Sequence, residues 1–181
     1  MSMNEIVAIA GAAVMGFWML GAHNRLVRLR RAIADAFAQL DSHFRLRHDL
    51  LAELIQAAAV ELAETPEAIA AVEAARVQAR TAADRAAAQS ASADRLATLG
   101  LAEQALRTAL SRLITLVKTR PALRNDPKLR EVLKNLSTTQ TRLAVARHTF
   151  NTTVMDYNRG VRQFPTRLVA AMLGFNAAGE L

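Results

Sequence analysis

Cysteine is absent from the 181-residue chain. That excludes a disulfide scaffold, a thiolate zinc site, an iron–sulfur cluster and a cysteine nucleophile. It does not assign a compartment, because a helical protein can do without cysteine on either side of a membrane. Glycine and proline are scarce, at 7 and 4 residues. A β-sandwich or barrel needs frequent turns and β-branched runs, so those folds are excluded as well. Aromatic residues make up 4% of the chain, with one Trp and one Tyr. With no stacking platform and no Lys/Arg run, nucleic acid is not an expected partner. No G-x-S-x-G, Gly-rich phosphate loop or H-E-x-x-H pattern occurs. His43 and His48 are five apart, about 140° around a helix, and His148 is remote, so no metal set converges. The expectation is a non-enzymatic protein without catalytic residues, cofactor or metal.

What the chain does have is 38 alanines and a hydrophobic fraction of 52%. Such a composition favours long helices. The net charge of +7 is concentrated after residue 95 and suits an anionic lipid surface. Twenty of the 23 cations are Arg, the residue that pairs as a fork with carboxylate or phosphate.

Residues 6–22, IVAIAGAAVMGFWMLGA, carry no charge and no polar face. At 1.5 Å per residue the run spans roughly 25 Å, the short end of a transmembrane helix. Trp18 lies near its end, as interfacial rings do. The acid Glu5 and the bulky Leu20 fit a cleaved signal peptide poorly. Arg25, Arg28, Arg30 and Arg31 follow at once, so the positive-inside rule places the N-terminus outside and residues 23–181 in the cytoplasm.

Downstream, apolar residues step by three and four. The first helix is predicted to run on from the membrane to about Glu64, through Leu26, Ile33, Phe37, Leu40, Phe44, Leu51 and Leu54. Thr65-Pro66-Glu67 reads as a cap and start of an alanine-rich second helix to about Gln89. Asp94 is the expected cap of a third, and Pro121 to Pro127 a loop. Asp126-Pro127 opens a fourth, with Leu129, Leu133, Leu136, Gln140, Leu143, Arg147, Phe150, Val154, Tyr157, Val161 and Phe164 as its seam. Tyr157 and Phe164 are expected in the core. Phe164-Pro165 ends the helix, and TRLVAAML (166–173) is a short amphipathic segment stopped by Gly174. The predicted organisation is an anchor (1–22), an all-α antiparallel four-helix bundle (23–164) and a C-terminal amphipathic segment and tail (165–181).

Two blocks carry a resemblance. NRLVRLRRAIADAFAQLDSHFRLRHDLLAELI (24–55) and RLAVARHTFNTTVMDYNRGVRQFPTRLVAAMLGF (142–175) resemble the LemA family of bacterial membrane-anchored helical proteins, and PALRNDPKLREVLKNL (121–136) falls where that family has a Pro-x-Leu-Lys stretch. The chain departs from the family pattern at Ala52, Thr139-Gln140 and the Gly179-Glu180-Leu181 ending. The resemblance implies an inner-membrane helical bundle without established enzymatic chemistry, in a family some of whose members are associated with remodelling of internal membranes. The function expected is a scaffold or interaction module at the membrane. The alternative is a regulatory adaptor binding a specific membrane or cytosolic partner protein.

Three groups of side chains are candidates for that role. Asp41, Arg45 and Asp49 lie on one stripe, either as wet i,i+4 pairs or half-buried and meeting Arg147 and Asn151 of the fourth helix. Arg25, Arg28, Arg30, Arg31, Arg159, Arg162 and Arg167 form a basic belt beside the bilayer if the helices alternate in direction. Leu168, Val169, Met172, Leu173 and Phe175 either contact the membrane or cap the open end of the bundle.

Overall fold

A computed structural model describes residues 2–181. The described residues are helical, with no strand among them. α1 (Met3–Ala58) is one continuous helix of 56 residues, about 80 Å long. Ser2 and Glu5 close its N-terminus as a capping box: the Ser2 N–H donates to Glu5 (2.8 Å), and the Glu5 N–H donates to Ser2 Oγ (3.3 Å). The acid that spoils a signal peptide therefore satisfies the helix start. The apolar run lies bare along this helix, and Ala22 is the first buried residue.

α1 stops at Ala58, short of the expected Glu64, and residues 59–64 form turns. Within those turns the Leu62 N–H still donates to the Ala58 carbonyl (3.0 Å), and Leu62 is wholly buried with the second part of the core. α2 (Pro66–Ala88) begins at its proline, but Thr65 makes no side-chain cap bond. Its buried face is Val72 and five alanines, whose short side chains allow close approach to neighbours. α3 (Ala93–Thr119) starts from Ser92, with Asp94 in the first turn instead of at the cap. The expected loop at Pro121 to Pro127 contains a single short turn of helix, α4 (Pro121–Asn125), which buries Leu123. α5 (Pro127–Arg162) is capped by Asp126, whose carboxylate accepts from the N–H groups of Lys128 and Leu129. α6 (Thr166–Leu173) ends on Gly174 at φ +72°, the left-handed cap that glycine adopts without strain.

α1 packs against α5 and α2, and α2 against α3; α6 sits on α1 and α5. The core has two parts. One joins Leu26–Phe44 of α1 to the end of α2, the start of α3, Leu143–Tyr157 of α5 and the C-terminal tail. The other joins Leu50–Ala58 of α1 to the start of α2, the end of α3 and Leu129–Leu136 of α5. α1 and α3 thus pass from the first part to the second, and α2 and α5 pass back.

Two seam positions differ from expectation. Thr139 is buried and Gln140 exposed, because a 3.6-residue helix drifts against a four–three repeat. Phe164 is 69% exposed, because α5 ends at Arg162 and the chain turns away before Pro165.

Candidate functional site

On α1 the apolar seam breaks between Phe44 and Leu51, and Arg47 and His48 fill the gap. On α3 it runs Leu96, Leu99, Glu103, Leu106. These interruptions face each other. Arg47 Nη1 donates to Glu103 Oε2 (2.7 Å) and Nη2 to Oε1 (2.5 Å). The residues are only 5% and 6% exposed, and the guanidinium lies 5.3 Å from the Phe44 ring centre. This is a forked ion pair in the core. It floors a groove of about 450 Å³ between α3 and α5, flanked by Arg107, Gln140, Arg147 and His148. Both carboxylate oxygens of Glu103 are engaged by Arg47, and no Ser, Thr or Lys lines the groove beside it. Arg107 and Arg147 thus stand beside a floor made of the mutually neutralised Arg47–Glu103 pair and the apolar side chains of Leu40, Phe44 and Leu143.

His48 is 2% exposed, and neither ring nitrogen has a hydrogen-bond partner among the described residues. Burial, and then the adjacent Arg47 charge, lower its pKa from 6.5 to about 4; Glu103 opposes the shift and Arg76 and Arg80 add to it. A depressed folded-state pKa favours the neutral ring in the fold, so its contribution is complete above pH 6.5 and declines as pH falls towards 4. Stability should drop by about 1–2 kcal/mol between pH 7 and pH 5 from this residue, allowing for screening by nearby solvent. Denaturant unfolding in detergent measures this. His48→Leu should remove most of the drop, and an unchanged drop would assign it to other groups.

The residues nominated from sequence are only partly assembled. Arg45 Nε donates to Asp41 Oδ2 at 2.7 Å. Asp41 is buried while Arg45 and Asp49 are exposed. Arg147 lines the groove beside Arg47 and Glu103. Asn151 is engaged elsewhere: its Nδ2 donates to the Leu181 carbonyl (2.7 Å) and its Oδ1 accepts from the Leu181 N–H (2.9 Å). Among the described residues, no three His, Asp or Glu side chains cluster as a metal site.

Asn151 belongs to a clamp that fastens the tail. One helical heptad on, Asn158 makes the same paired bonds to Ala178, at 2.9 and 2.8 Å. Tyr157 Oη donates to the Asn176 carbonyl (2.9 Å). Burial raises the pKa of that phenol. Gly179 lies so close to α3 that a Cβ there would approach Ala93 Cα to 2.5 Å. Phe175 and Ala178 join the core, and α6 is thereby held against α1 and α5. Within α6, Val169 is buried, whereas Leu168, Met172 and Leu173 are exposed. The belt arginines Arg25, Arg28, Arg30, Arg31, Arg159, Arg162 and Arg167 are all exposed.

No curated protein matches the chain. The profile of the LemA family matches residues 36–180. That stretch runs from the middle of α1 through the ion pair, the Asn–Tyr–Asn clamp and the tail. The match covers well over half of the sequence, its N-terminal helix is long and apolar enough to cross a membrane, and the chain belongs to the LemA family.

Proposed function

We propose that the chain is a non-enzymatic, single-pass protein of the bacterial inner membrane. Its cytoplasmic body, an antiparallel four-helix bundle, acts as a scaffold or interaction module in membrane organisation or remodelling. One observation supports this above others. α1 is uninterrupted from Met3 to Ala58, bare and apolar at first and then central to the core. A helix without a hinge couples the orientation of the body to that of the anchor. The alternation of α1, α2, α3 and α5 between the two parts of the core supports the antiparallel arrangement. The adaptor reading is favoured by the cation-flanked groove between α3 and α5, which suits an acidic protein partner.

The orientation is tested with C-terminal reporters. A fluorescent protein that matures only in the cytoplasm should be bright, and an enzyme active only outside should be silent. Neutralising Arg25, Arg28, Arg30 and Arg31 together should weaken that preference. The reverse pattern in the unaltered chain overturns the cytoplasmic assignment. The scaffold and adaptor readings separate on Arg107→Glu/Arg147→Glu. Loss of a discrete co-purifying membrane or cytosolic protein supports the adaptor, and an unchanged set supports the scaffold.

A further inference from the structure

The outer side of α6 has no partner among the described residues. Thr166, Val169 and Ala170 are buried beneath it, while Leu168, Met172 and Leu173 face outward; Met172 is 71% exposed. Leu168 and Met172 lie four apart, and Phe164, four before Leu168, is exposed as well. Single exposed apolar side chains are ordinary, but four on one short segment form a patch that calls for a partner.

The position of the patch indicates which partner. Ala22, the last residue of the apolar run, is also the first buried residue of α1. His23, directly after it, meets the Phe175 ring edge-on at 5.8 Å. Gly160, near the end of α5, lies against Leu26 and Leu29. α6, which packs on α1 and α5 and lies between Gly160 and Phe175 in the chain, therefore sits at the end of the body from which the apolar run emerges. Around it are the exposed cations Arg159, Arg162 and Arg167 and those of α1 from Arg25 to Arg31. Arg167 lies over the Phe164 ring at 5.9 Å, leaving its charge beside an apolar surface. Asp156, paired with Arg159, and Glu180 are the acids nearby, so the rim remains positive. An apolar stripe continuous with a lipid-facing helix and rimmed by guanidinium groups matches the headgroup–acyl boundary of an anionic leaflet.

We infer that the outer face of α6 (Leu168, Met172 and Leu173), together with Phe164 in the turn before it, inserts into the surface of the anionic leaflet beside the anchor and gives the protein a second membrane contact. Val169 and Phe175 take no part, being held in the core. The inference rests on the membrane-anchor reading of α1. With two contacts instead of one, the body is fixed in tilt as well as in position, which a single helix does not ensure.

The absence of cysteine makes the test direct. The full-length chain carries one nitroxide at a time, on Met172→Cys, on Val60→Cys at the far end of the body, or on Ile9→Cys in the apolar run. Each is reconstituted in vesicles of phosphatidylcholine with phosphatidylglycerol. The Met172 label should show an oxygen-to-nickel-chelate accessibility several-fold above that of the Val60 label, approaching that of the Ile9 label. The excess should shrink in vesicles of phosphatidylcholine alone and in Arg159→Gln/Arg162→Gln/Arg167→Gln. If the Ile9 label lies in lipid while the Met172 label matches Val60, the second contact is wrong and the anchor stands. If the Ile9 label is itself aqueous, the anchor reading fails first. Dipolar broadening at Met172 without a gain in oxygen accessibility overturns the inference in favour of a second copy covering the patch. An excess indifferent to lipid charge overturns its anionic part.

Discussion

Glu103→Ala is expected to destabilise the body by about 3–5 kcal/mol, because it leaves the Arg47 charge buried without its counter-ion. The neighbourhood offers little relief. His48, next in sequence, is buried without partners, and Arg47 Nε is already unsatisfied. A loss of that size approaches the whole stability of many domains, so the variant should be poorly folded at moderate temperature. Arg47→Met combined with Glu103→Leu should behave oppositely. Replacing both charges by apolar side chains of similar volume is often neutral or stabilising by about 1–4 kcal/mol. Denaturant titration of the full chain in detergent, followed by helical circular dichroism, reads all three proteins. A cost below about 1 kcal/mol for Glu103→Ala would mean that water from the groove solvates Arg47. The pair would then behave as a surface bridge. The double variant also tests whether the charges specify how α1 and α3 align. If it is stable but its core side chains lose spectroscopic dispersion, the pair acts as a register pin.

The second large effect is expected at Phe150. This side chain is wholly buried, and its ring meets that of Phe37 edge-on, 5.7 Å apart at 74°. Phe150→Ala should cost about 3–5 kcal/mol, the sum of lost transfer energy and an unfilled cavity. Leu143→Ala, on the same face but at the edge of the first part of the core, should cost about 2–4 kcal/mol. Val145→Ala, on the exposed side of the same helix, should stay within about 0.5 kcal/mol. A Phe37→Ala/Phe150→Ala cycle should show about 0.5–1.5 kcal/mol of coupling. Equal costs at Val145 and Phe150 would contradict the packing of α1 against α5. Because α5 carries Asn151, Tyr157 and Asn158, this packing also holds the tail and α6 in place. Phe150→Ala should therefore raise amide exchange in residues 166–181 before it melts the far end of the body.

The features readable in advance were those that depend on neighbours along the chain. An uncharged run of seventeen residues, Ile6 to Ala22, reports its own length and polarity. Pro66, Pro127 and Gly174 mark helix ends through backbone geometry that each residue carries with it. The apolar steps of three and four on α1 and α5 identify the faces that become buried. The Asp41–Arg45 pair was readable for the same reason, since four residues on a helix are adjacent whatever the fold.

The ion pair is not legible in the sequence alone, although its signal is present. Arg47 lies three after Phe44 and four before Leu51, and Glu103 lies four after Leu99 and three before Leu106, each on an apolar seam. Nothing local says that one answers the other, since they are 56 residues apart. The same holds for Asn151, which sequence spacing points toward α1 but which binds Leu181, thirty residues on. It holds for the end of α1 at Ala58, and for Phe164, which matches the seam until the chain turns away. It holds for α6, whose apolar residues are one stripe in sequence but divide in space between the core and an open surface. By itself the sequence determined the long helices, the apolar N-terminal run and the family. Only the tertiary structure decided which charges meet, which asparagines hold the tail and which half of α6 is left free, because those outcomes depend on contacts between helices that periodicity along a single helix does not encode.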